Sequence, residues 1–81
     1  MNRLVEAGNT LVPSVLALEQ LGYEVRIEAS GSCRAVRGDE EYLARDPATV
    51  LGLIKLVEVR GWDWRAADAD IEAVARRYGL F

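Results

Sequence analysis

The stretch Tyr23-Glu24-Val25-Arg26-Ile27-Glu28-Ala29 alternates apolar and charged residues without a break. A period of two places Tyr23, Val25, Ile27 and Ala29 on one side of an extended chain and Glu24, Arg26 and Glu28 on the other. A strand with one wet face belongs to an antiparallel sheet. Ser30-Gly31-Ser32 reads as the hairpin connection that follows it. Cys33 to Arg37 then forms a second strand, Gly38-Asp39 a second turn, and Glu41 to Arg45 a third strand. Connections this short imply a three-stranded meander.

Helical periodicity flanks the meander. Leu11, Val15 and Leu18 recur at i, i+4 and i+7, beside Val12 and Leu16, and Gly22 stops the run. Its start is open. Asn9 or Thr10 can cap it, with Pro13 in the first turn, or Leu4 and Val5 can extend it backward through a kink at Pro13. The main helix is expected from Thr10, with a helical extension before it. After the meander, Asp46-Pro47 is the signature of an N-cap followed by the first helical residue, and Gly61 closes that helix. A last helix is expected from an Asp68 cap to Gly79. Its stripe is Ile71, Val74, Ala75 and Tyr78, Asp70 lies in the first turn, and Arg76 and Arg77 lie in the last.

The order α-β-β-β-α-α predicts an α+β domain of two layers, in which helices cover the apolar side of a three-stranded antiparallel sheet. Its 81 residues suffice for one such core and no second domain. Apolar residues make up 51% of the chain and charged residues 28%, the balance of a globular protein.

Several chemistries are excluded by counting. The chain has no histidine, which removes Ser-His-Asp and Cys-His catalysis and histidine-ligated metal. Its single cysteine, Cys33, allows no internal disulfide. The net charge of −3 argues against a phosphate-gripping surface. Arg26, Arg34 and Arg37 can line the wet sheet face, but Glu24 and Glu28 interrupt them. No apolar run reaches the length of a membrane span. A cytoplasmic protein is expected, with no membrane partner, no nucleic acid and no cofactor.

Weaker constellations have ordinary explanations. Asp63, Asp68, Asp70 and Glu72 lack the glycine-bearing turn of a calcium loop and read as caps and a solvated face. Cys33 has no base beside it, because Arg34 points to the opposite face of its strand. Glu40 and Glu41 face apart for the same reason. Ser30-Gly31-Ser32 lacks the lysine and the helix of a phosphate loop.

Two features point outward. Val50, Leu53, Ile54 and Val57 make one face of the second long helix, while Gly52, Leu56 and Val59 lie opposite, where a surface helix carries charge. Either this helix is a hub covered on both sides, or its second face meets a partner, with Gly52 permitting close approach. Trp62 and Trp64 share a loop and either cap the core or anchor a partner. The expected function is therefore protein–protein contact without catalysis, as a homodimer or small regulator, through Gly52, Leu56, Val59, Trp62 and Trp64. The alternative is a small enzyme or ligand-binding domain with a pocket between sheet and helices, rimmed by Trp62 and Trp64.

Overall fold

A computed structural model describes residues 1–80. After a single 3-10 turn at Gly8–Thr10, the order is α1 (Leu11–Gln20), β1 (Glu24–Ile27), β2 (Cys33–Arg37), β3 (Glu40–Ala44), α2 (Pro47–Arg60) and α3 (Asp68–Tyr78). The three strands form one antiparallel sheet in the order β1-β2-β3, the expected meander.

The register sorts the side chains. Val25, Ala35 and Tyr42 lie in one row, and Ile27, Cys33 and Ala44 in the next row on the same face. Cys33, Ala35 and Tyr42 are buried and join Leu18 of α1 and Val50 and Ile54 of α2 in the core. α1 packs on β1 and on α2, and α2 packs on β2 and β3. On the other face Arg26 pairs with Glu24 at 3.4 Å and Arg34 with Glu41 at 3.8 Å.

Local chemistry moves several boundaries. β1 stops at Ile27 because the amide of Glu28 donates to the Ser32 carbonyl and Gly31 to the Glu28 carbonyl, closing the turn early. β3 runs Glu40–Ala44, one residue ahead of the expected span, because Glu40 pairs directly with Arg37 across the tight turn. Thr10 precedes α1 but does not cap it. Its hydroxyl donates to the Ala7 carbonyl at 2.8 Å, which holds the 3-10 turn instead, and residues 1–7 are not helical. Asp68 is the first residue of α3 and not its cap. That place falls to Ala67, whose carbonyl accepts the Ile71 amide, so Asp68 and Asp70 act on the helix dipole alone.

Asp46 caps α2 as its sequence context requires: the Thr49 amide donates to Asp46 Oδ1 at 2.7 Å. At the far end Gly61 takes φ +81°, a backbone angle that side chains resist. That turn carries the chain off the helix axis and lays Trp62 against the sheet.

α3 departs most from expectation. Its apolar stripe forms as predicted, yet the helix makes no extensive contact with the sheet, α1 or α2. Only Ala75 of the stripe is buried. The chain is correspondingly open, with a radius of gyration of 14.9 Å against about 12 Å for a compact domain of this length.

Candidate contact surface

Along α2 the exposure follows the helical wheel. Val50 and Ile54 are buried on the sheet, and Leu51, Leu53 and Val57 are partly covered. Gly52 is exposed, Leu56 is 37% exposed and Val59 72% exposed. A Cβ built on Gly52 would meet nothing within 4 Å. The sheet and α1 both pack on α2 and still leave Gly52, Leu56 and Val59 exposed. α3, which follows through the loop 61–67, makes no extensive contact with α2.

The two tryptophans separate in role. Trp62 stacks on Tyr42, with ring centroids 5.5 Å apart and planes 22° apart. Tyr42 in turn meets Tyr23 edge-on at 5.9 Å, and the Arg37 guanidinium lies 4.4 Å above the Tyr23 ring. Trp62 thus caps one end of the core while leaving 56% of its own surface open. Trp64 is covered by Arg65, 4.5 Å from its ring, and its carbonyl accepts a 2.9 Å bond from Arg60 Nε, which ties the loop to the end of α2.

The stripe of α3 adds a surface that periodicity assigned to the core. Ile71, Val74 and Leu80 are exposed, and Tyr78 is 67% exposed. Beside the stripe, Arg60, Ala66, Ile71, Val74, Ala75 and Leu80, with Asp70, line a mostly apolar cleft of about 560 Å³. Three strands of four or five residues offer too little apolar area to occupy three helices.

The reactive groups are quiet. Cys33 is fully buried, and burial, aided by the Asp46 charge, pushes its thiol up in pKa, away from the nucleophilic thiolate. Burial and a 3.2 Å bond from its hydroxyl to Glu40 Oε1 push Tyr42 up to about 12. Glu40 also accepts from Arg37, whereas Glu41 faces Arg34 on the other side of the sheet. Among the described residues no three acidic or cysteine side chains gather into a metal-binding group. No helix among them is long and apolar enough to cross a membrane. Among the described residues, the clefts along α3, at the start of α1 and on the wet sheet face are lined by neither Trp62 nor Trp64.

No protein-family model, curated protein or solved structure matches this chain.

Proposed function

We propose that this chain is a non-catalytic cytoplasmic module that works by protein–protein contact, as a homodimer or a small regulator. The observation that carries the reading is the amount of apolar helix surface left uncovered. Leu56 and Val59 on α2, and Ile71, Val74 and Tyr78 on α3, lie in helical rows on well-formed helices, not scattered singly. Rows of this kind on a folded domain mark association surfaces. Trp62, half-open and held flat by Tyr42, supplies a rigid aromatic edge of the sort that anchors interfaces. Arg26 and Arg34 on the wet sheet face are matched by acids, and Arg37, expected beside them, lies instead on the core side against Glu40 and the Tyr23 ring, so no row of arginines forms and a protein partner is favoured over nucleic acid.

Capture from the native cell on the immobilised chain tests the reading, with a folded Leu56→Glu, Ile71→Glu double variant beside it. A stable protein companion, a second copy included, should be held by the first and lost by the second. Equal retention on both, or none on either, overturns the proposal.

A further inference from the structure

Resting on that contact reading, we infer that the partner is a second copy of this chain, and that α3 of each copy lies antiparallel in the open face of the other's α2. Area is the first argument. A compact monomer of this mass exposes about 4,900 Å², whereas this chain exposes 6565 Å². The difference is about twice the roughly 800 Å² per partner that a standard stable interface covers. Part of it belongs to the extended residues 1–7, and α2 and α3 carry a further share.

Matching shape is the second argument. Gly52, Leu56 and Val59 stand at i, i+4 and i+7 on α2, and Ile71, Val74 and Tyr78 span the same seven residues on α3. Each row is therefore about 10 Å long. Set antiparallel, the largest exposed side chain of α3, Tyr78, falls over Gly52, where a side chain is missing and nothing lies within 4 Å. Ile71 then falls beside Val59. Charge agrees with that direction. The first turn of α3 carries Asp68 and Asp70, which make no ion pair among the described residues, and the last turn of α2 carries Arg60. Arg60 already shares a cleft with Asp70 of its own chain, and antiparallel packing adds the first turn of the second copy's α3 to that end and opposes the two helix dipoles favourably. A two-fold axis uses both surfaces of both chains at once, so the contact closes as a dimer and does not propagate.

The test mixes chains carrying Val59→Cys alone with chains carrying Ile71→Cys alone, under mild oxidation. Both sites are exposed, so both variants are expected to fold, and the buried Cys33 stays out of the exchange. A disulfide joining one variant to the other, with sedimentation showing a dimer of the unaltered chain, is the expected result. Gly52→Leu should raise the dissociation constant at least tenfold with the circular dichroism unchanged. A dimer that links Val59→Cys to Tyr78→Cys instead overturns the antiparallel arrangement. A monomer at all concentrations whose two cysteine variants react quickly with a water-soluble maleimide overturns the second copy and leaves the broader contact reading standing. A monomer whose cysteines are shielded shows that α2 and α3 cover each other within one chain, and overturns both.

Discussion

Trp62 lies flat on Tyr42, 5.5 Å from ring to ring, although the two residues belong to different elements and Trp62 is in a loop. The stack closes the end of a core that α1 and α2 leave open. It also fixes where the chain leaves α2, and therefore the direction in which α3 departs.

Trp62→Ala should accordingly lower stability by more than about 1 kcal/mol, the scale of one aromatic pair before the area it buries is added. Trp64→Ala should cost less, because Arg60 bonds to the backbone carbonyl of residue 64, which the substitution keeps. Urea midpoints of the two variants decide the order. A larger loss for Trp64→Ala would place the anchor of the loop at the wrong tryptophan.

Tyr42 makes stability sensitive to alkali. Its folded pKa is raised to about 12, above the unfolded value of about 10, so the fold favours the protonated phenol. That contribution is fully present below pH 10 and is lost as pH rises from about 10 through 12. Tyr42→Phe should flatten this part of the profile. At neutral pH it should cost about 1 kcal/mol, the worth of the hydrogen bond to Glu40. Equilibrium unfolding across the alkaline range measures both effects.

Asp46 works in the opposite direction. The bond from the Thr49 amide, with help from Arg45, holds its carboxyl below the ordinary range. Its contribution is therefore present above the unfolded pKa of about 4 and lost as pH falls through the lower folded value. Asp46→Ala should lower the urea midpoint at neutral pH, and the gap from the unaltered chain should narrow below about pH 4. A gap independent of pH would show that the carboxylate charge contributes nothing to the cap.

The order of elements was legible because each carries a local signature: period two in Tyr23–Ala29, a cap and proline at Asp46-Pro47, glycine at the ends. The same alternation showed which residues of β1 share a face, while the pairing of the strands came only from the structure. The placement of α3 was not legible. A stripe such as Ile71, Val74, Ala75 and Tyr78 says that a helix seeks cover, and is silent on whether its own chain supplies it. The second face of α2 posed the same ambiguity. There Gly52 was the useful signal, since a small residue amid Leu56 and Val59 makes room that this chain does not fill. The roles of the two tryptophans were hidden because stacking on Tyr42 depends on the positive φ of Gly61, a property of the turn and not of residues 62–64.

Two substitutions on α2, two residues apart, separate core from contact surface. Ile54 is buried against Val50 and the sheet, so Ile54→Glu places a carboxylate where no partner awaits it. The cost should exceed about 3 kcal/mol, a large part of the total stability of so small a domain. That chain should be unfolded, or nearly so, at neutral pH. Leu56 faces away from the core, and Leu56→Glu should change monomer stability by less than about 1 kcal/mol. In the dimer the same carboxylate would sit in a desolvated helix contact, and the dissociation constant should rise about 100-fold or more, equivalent to roughly 2.7 kcal/mol. Circular dichroism with urea reports the first quantity and sedimentation across a wide concentration range the second. The expected pair of results is a folded Leu56→Glu chain that has lost its partner and an Ile54→Glu chain that has lost its fold. Unfolding by Leu56→Glu at a concentration where the unaltered chain is monomeric would return that face to the core.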